Sequence, residues 1–569
     1  MNKIKSGLLL LTTLFLFSAM KAQSIEEGRK FLYYERYKSA KDVFEKLVQA
    51  NPNDIDAVYW LGQTFIGMED IESAKALYQK TLTANSNSPL LIAGMGHVEL
   101  LQGKPQDARS RFETALSLTQ NKDLQVLNAV GFANSNPDSK NGDGNYAVDK
   151  LKIATSIKKM KDPDVYVNLG DAYKKIGDGG KAQIAYEAAL ALDPKYARAP
   201  YRIGKVYQTQ GQGQEEIYMK YFNDAIARDP TYAPVYKNLS DLYYNTNVTK
   251  SAEYLEKFLA NTDDDPKNCY YTASMKYAQG LFKEAVTKAE QCLAAPQPYW
   301  KLHGIIAYAQ NKLGDSIKAK ESFDKYFAKA IPEQIGMGDY STYASVLLKF
   351  PGNDSLAGLY VDKAVELDSV EANKVTYLKS IATYYETEKN FKEAADWYNK
   401  ILTVKQNVSK TDLYNAGYNY FRSGTYQPSI DVFNLYGQKF PDDPFGYYMI
   451  GKANWAIDST MEQGLANPSF EKAIQVGQGD RTKYKNQLIG SYKYFVAYYA
   501  NIKKDKEMAL AYCDSVLAID PADSDAINNK TIISEMNMNA PAPKQQPKSA
   551  ASKPSADKAA KPKSPDAKK

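Results

Sequence analysis

The sequence is poor in the residues that carry out covalent and metal chemistry. Among 569 residues there are two His, three Cys and four Trp. His97 and His303 lie far apart, and with so few ligands no Cys/His zinc spacing can be assembled. No Walker-type loop, dinucleotide-binding glycine pattern or nucleophile elbow is present. Gly142-Asp143-Gly144-Asn145 has the look of a calcium loop but lacks flanking carboxylates at regular spacing. Carboxylates are numerous along the whole chain, so no single pair marks a glycosidase. No catalytic residue, metal ligand or cofactor site is expected, and neither is an enzymatic activity. Cys269, Cys292 and Cys513 are odd in number and sparse, which is not a disulfide framework. Cys269 and Cys292 are expected as small buried core residues, although an oxidising compartment would permit them to bond.

Long apolar runs are absent beyond the first twenty residues. Lys3 and Lys5 precede an apolar stretch from Leu8 to Phe17, which is too short to span a bilayer comfortably. Residues 1–22 are therefore expected to be a signal peptide cut after Ala22. Met20 stands where a small residue is expected, which leaves the bond open. No Cys follows that stretch, so a lipid-anchored form is not expected. The expectation is a periplasmic or secreted protein without a membrane span.

The body also lacks basic charge. The formal net charge is +6, but Lys3, Lys5 and Lys21 contribute +3. Eight Lys against two Asp in 540–569 contribute +6. Residues 23–539 are thus net −3, without the basic surplus that a nucleic-acid partner demands. The stretch 540–569 has no large apolar residue. It is expected as a disordered Lys/Pro/Ala-rich tail able to touch an acidic cell-wall polymer.

What the chain does have is tyrosine, 45 against 20 Phe, and an internal period. Gly28, Gly62 and Gly96 are 34 residues apart. Ala40, Ala74 and Ala108 keep that interval, as do Phe44, Tyr78 and Phe112. The columns return at Leu169-Gly170, Tyr173, Ala182, Tyr186 and Ala189, at Ile203-Gly204, Tyr207, Phe222 and Ala225, and at Ala416-Gly417, Tyr420 and Phe433. Pro52, Pro194 and Pro230 stand where helices must end. Such a period marks a stack of supersecondary units that bury a core only together. About fourteen units fill 23–539, with a blurred stretch at 330–353 where a sub-boundary is expected and a polar insertion at 134–145.

These columns resemble those of the tetratricopeptide repeat family. The resemblance covers nearly all of residues 24–525. It implies an all-α, right-handed superhelical solenoid of helix-turn-helix repeats, working as a non-enzymatic scaffold in the bacterial cell envelope. It implies protein or peptide partners held on a concave face lined by the first helix of each unit. Some family members grip a peptide carboxylate there with Lys, Asn and Arg. Asn168, Arg198, Arg202, Lys205, Lys237 and Asn238 are the matching candidates in this chain, although Asn128 and Phe132 depart from the pattern. Tyr59, Tyr201, Tyr418 and Tyr447 are further candidates for that groove. A glycan- or peptidoglycan-associated role through the tail is the alternative. Five triplets, among them Asp315-Ser316-Ile317 and Asp368-Ser369-Val370, look like the O-glycosylation sequon of exported Bacteroidota proteins. The leader ending in Ala22 and Gln23 is similar to leaders from that phylum.

Overall fold

A computed structural model describes residues 25–535. The expected leader at 1–22 and tail at 540–569 lie outside the described residues. All regular structure among those residues is helical, and it divides into two compact units, one ending at Ile335 and the other beginning at Gly336.

The first unit holds nine antiparallel helix pairs. They are α1 (25–33) with α2 (Tyr37–Ala50), α3 (Ile55–Gly67) with α4 (Ile71–Ala84), α5 (Pro89–Leu101) with α6 (Pro105–Leu118), and α7 (Leu124–Ser135) with α8 (Gly144–Ser156). Then follow α9 (Pro163–Lys175) with α10 (Gly179–Leu192), α11 (Arg198–Thr209) with α12 (Glu215–Arg228), and α13 (Ala233–Tyr243) with α14 (Val248–Asn261). The last two are α15 (Pro266–Ala278) with α16 (Phe282–Leu293) and α17 (Leu302–Lys312) with α18 (Ser316–Lys329). The second unit has five pairs, from α19 (Met337–Leu347) with α20 (Asp354–Leu367) to α27 (Lys485–Tyr498) with α28 (Lys506–Leu517), and a final α29 (Ser524–Glu535).

The repeated columns have a direct packing cause. A Cβ added at Gly28 would meet the Phe44 ring at 2.4 Å, and one at Gly62 the Tyr78 ring at 2.1 Å. The corresponding pairs Gly170–Tyr186 and Gly417–Phe433 give 2.3 and 2.8 Å. In each pair the second helix drives an aromatic ring onto the bare backbone of the first, and only a residue without a side chain allows it. The alanines of the second helix, Ala40, Ala74, Ala108 and Ala182, are fully buried beside these rings.

The turn inside several pairs is also shared. The amide of Arg36 donates to the Phe31 carbonyl, that of Asp70 to Phe65, and that of Lys104 to Glu99. This six-residue closure needs a left-handed residue before it. Glu35, Glu69 and Gly103 fill that position at 34-residue intervals, with φ of 57°, 65° and 75°. Aspartates then cap helix starts: Asp54, Asp70, Asp123 and Asp178 accept from amides two or three residues into the helix.

Asp143 does the same for α8, and Asn134 Oδ1 receives the Asp143 amide. The polar stretch at 134–145 is held further by Lys175, whose Nζ donates to the carbonyls of Asn136 and Ser139. It is an anchored loop, and the carboxylate of its Gly142-Asp143-Gly144 sequence is engaged as a helix cap.

One expectation is corrected. Cys269 on α15 and Cys292 on α16 form a disulfide, with Cα atoms 6.0 Å apart. The antiparallel pairing of the two helices puts the cysteines opposite one another, within bonding reach. Cys513 is buried and free.

Within the first unit, successive first helices touch. α3 contacts α5, α5 contacts α7 and α7 contacts α9, whereas no comparable contact joins α4 to α6 or α6 to α8. The first helices are therefore the inner layer of the curve and the second helices the outer one.

Candidate partner-binding face

The inner layer of pairs five to seven carries the candidate cations. Asn168 is buried, and its Nδ2 donates to Asn128 Oδ1 at 2.8 Å, a bridge between α9 and α7. That asparagine is a packing element. Lys237 is also engaged, with Nζ 2.6 Å from Asp241 Oδ2 and 4.4 Å above the Tyr271 ring.

Arg202, Lys205 and Asn238 do come together. Lys205 Nζ donates to Asn238 Oδ1 at 2.8 Å. Arg202 Nε lies 3.7 Å from Asp171 Oδ1, which also accepts the Tyr186 hydroxyl at 2.7 Å. The carboxylate of Asp171 raises the Arg202 guanidinium, against burial. Arg202 Nε and Asn238 Nδ2 are both buried without a hydrogen-bond acceptor. Two donors left in this state on neighbouring inner helices are a cost to the fold.

Lys174 completes the group. Burial pushes it below the ordinary lysine range, Arg202 adds to that, and Asp171 opposes it. Lys205 is lowered by burial and then by Lys174 and Arg202, with Asp241 opposing. Three half-buried cations therefore repel one another on α9 and α11, a condition that a negatively charged ligand reverses. Sequence reasoning missed Lys174. Its signal is the helical period, since it stands one turn after Asp171 on the same face of α9.

Arg198 belongs elsewhere. Its Nη1 donates to Asp164 Oδ1 at 2.8 Å, and its Nη2 to the carbonyls of Leu32 and Tyr33 at 3.2 and 2.9 Å. Those carbonyls lie at the end of α1, where Leu32 O also accepts the Glu35 amide. The guanidinium also sits 5.0 Å from the Tyr33 ring centre. Arg198 is thus a cap for the first helix, and three of its donors are taken by the chain itself.

The tyrosine candidates divide. Tyr59 is buried, 5% exposed, with its carbonyl accepting from Tyr78, so it faces the core rather than the groove. Its ring meets that of Trp60, its neighbour on α3, edge-on with the centres 5.1 Å apart. Tyr447 packs on Gly437, donating to its carbonyl. Tyr201 stays half-buried between Phe222 and Tyr232. Tyr418 is stacked in a row with Tyr414 and Phe421, with the Arg422 guanidinium 5.8 Å from its ring.

His97 is 1% exposed, its Nδ1 3.1 Å from Gln63 Oε1, and Gln63 in turn donates to the Tyr78 hydroxyl. Burial, helped by Lys175, lowers it to about 3, so the imidazole is neutral at ordinary pH. Among the described residues no group of three or more His, Cys, Asp and Glu is placed to hold a metal. No described helix is long and apolar enough to cross a membrane.

Two family profiles described as tetratricopeptide repeat match, one over residues 31–95 and the other over residues 163–196. No curated protein matches the chain. Among solved structures, the C-terminal part of a TPR repeat-containing protein from Cytophaga hutchinsonii is similar. It is 26% identical, covers 46% of this chain and 98% of its own, and has a TM-score of 0.30. MamA is 26% identical over 31% of this chain and 97% of its own, at a TM-score of 0.23. Yeast Tom70 is 14% identical over 72% and 97%, at 0.33.

Proposed function

Since the chain is an all-α tetratricopeptide-repeat protein, built of repeats that serve protein–protein interaction, we propose that it is a non-enzymatic scaffold of the bacterial cell envelope. It holds protein or peptide partners on the inner face of its first unit. The observation that supports this reading best is the group Lys174, Arg202, Lys205 and Asn238, with buried donors on Arg202 and Asn238 that have no acceptor. Acidic side chains or a chain-terminal carboxylate of a partner pair with the half-exposed Lys174 and Lys205. The Cys269–Cys292 disulfide and the leader-like residues 1–22 support an oxidising, exported setting.

The experiment is in-cell crosslinking of the full chain followed by purification from envelopes. Arg202→Glu with Lys205→Glu is expected to lose a defined partner that the unmodified chain retains. An unchanged set of crosslinked proteins, or no crosslinked protein from either chain, overturns the reading.

The net charge of +6 in 540–569 supports a second reading, association with an acidic wall polymer. It predicts salt-sensitive cosedimentation with sacculi that is lost on deleting 540–569. Sedimentation that survives the deletion rejects it.

A further inference from the structure

The first helix pair meets the helix starts of later pairs in its own unit. Arg29 lies 2.5 Å from Asp162 and 3.6 Å from Asp164, at the start of α9. The Tyr34 hydroxyl donates to Asp229, ahead of α13, at 2.8 Å. Arg36 Nε meets Asp263, ahead of α15, at 3.0 Å, and the Ser39 amide and hydroxyl donate to the same carboxylate. Tyr33 fits between the rings of Tyr196 and Tyr232, 5.0 and 5.1 Å away. The partners are 133 to 227 positions away in sequence. Four aspartates at the helix starts of pairs five, seven and eight thus form an acidic rim, and a short segment with two Arg and two Tyr lies along it.

Side chains make most of this closure. Every polar contact just described has an Asp side chain as its acceptor, and only one has a backbone donor. A cleft of about 430 Å³, lined by Lys30, Phe31, Arg36, Thr231 and Asn261, opens between the pair and the ends of α13 and α14. Separation therefore needs the ion pairs, the Tyr34 and Ser39 hydrogen bonds, the Arg198 hydrogen bonds to the Leu32 and Tyr33 carbonyls and the two Tyr33 ring contacts to break, with no helix unfolding.

We propose that the first helix pair is a displaceable clasp. It occupies the acidic rim as an internal ligand, and a partner bearing a basic and aromatic helical segment takes its place. The clasp rests on the reading of the inner face as the partner-binding surface but concerns a different set of residues. Partner loss in the Arg202/Lys205 variant tests that reading, whereas the titration below tests the clasp alone.

The probe is a fluorescein-labelled synthetic peptide of residues 25–40, titrated into the full chain. Arg29→Glu with Arg36→Glu opens the clasp by repulsion from the rim and is expected to bind the peptide at least tenfold tighter than the unmodified chain. Adding Asp162→Arg and Asp263→Arg to that variant restores opposite charges and is expected to return binding to the starting level. Equal binding by the opened and unmodified chains overturns the proposal, as does tight binding that persists after the charges are restored. Hydrogen exchange of the unmodified chain gives a result independent of any variant's folding. Amides of 25–39 are expected to exchange together and sooner than those of α9 and α11. Exchange of 25–39 only in step with α9 and α11 also overturns it.

Discussion

A Cβ on Gly96 would lie 2.5 Å from the Phe112 ring, a distance at which one of the two must move. Phe112 is 1% exposed and held between α5 and α6, so it cannot retreat to solvent. Gly96→Ala is expected to destabilise by about 1–3 kcal/mol, the range for overpacking a filled core, despite the better helix propensity of alanine. Gly180→Ala is the control. That glycine is exposed on α10, with only the Asp178 carboxylate at 3.9 Å, and the change is expected to stabilise by a few tenths to about 1 kcal/mol. Urea midpoints of the two variants are expected to move in opposite directions.

The Cys269–Cys292 bond closes a loop with a sequence separation of 23. Loop-closure entropy gives it about 3 kcal/mol. Cys269→Ser with Cys292→Ser is expected to lower stability by that order, and the loss is local because each pair touches mainly its neighbours. Hydrogen exchange is expected to rise over 266–293 and stay unchanged over 89–118.

His97 sets a direction with pH. Its folded value near 3 lies below the ordinary 6.5, so below pH 6.5 the unfolded chain takes up a proton that the folded chain refuses. Stability is therefore expected to fall as pH drops from about 6.5 towards 3, at up to about 1.4 kcal/mol per pH unit. His97→Gln keeps a donor for Gln63 and removes the proton uptake. Its stability at pH 4.5 relative to pH 7 is expected to drop less than that of the unmodified chain.

Asp164 holds Arg198 and Arg29 and accepts the Tyr196 hydroxyl. Burial alone would raise its carboxyl, but Arg198 and Arg29 keep it below the ordinary carboxylate range. The stabilisation is present above the unfolded value of 3.8 and is lost as pH falls below it. Asp164→Asn takes the carboxylate from Arg198, while Arg29 keeps Asp162, and is expected to cost about 2 kcal/mol, discounted from the fully buried case because the side chain is 27% exposed. A thermal melt at pH 7 checks it, and below pH 3 the difference from the unmodified chain is expected to shrink.

The repeat and its packing logic were legible in the sequence because each Gly–aromatic pair is local. Gly28 and Phe44, or Gly62 and Tyr78, are 16 residues apart within one hairpin, and propensity, spacing and helix ends all agree there. The candidate face was legible only in part. Arg202, Lys205 and Asn238 follow from the period. Arg198 shares their register yet faces the end of α1, because residues 32 and 33 return to it after 165 positions of accumulated curvature that no local pattern encodes. Tyr59 and the cysteine pair were misjudged for a related reason. Which side of a helix is inner, and which residues of two antiparallel helices lie opposite, depends on the rotation of each pair about its neighbour.

The contrast between the two helix layers has a mechanical side. Where α3, α5, α7 and α9 abut while the helices behind them do not, the inner line has nearly fixed length and the outer one has slack. Bending that tightens the arc widens gaps already present on the outside, and bending that loosens it closes them. Neither motion separates the abutting helices, so the first unit is suited to yield like a leaf spring, adjusting its opening to what it holds while its buried rings stay in place.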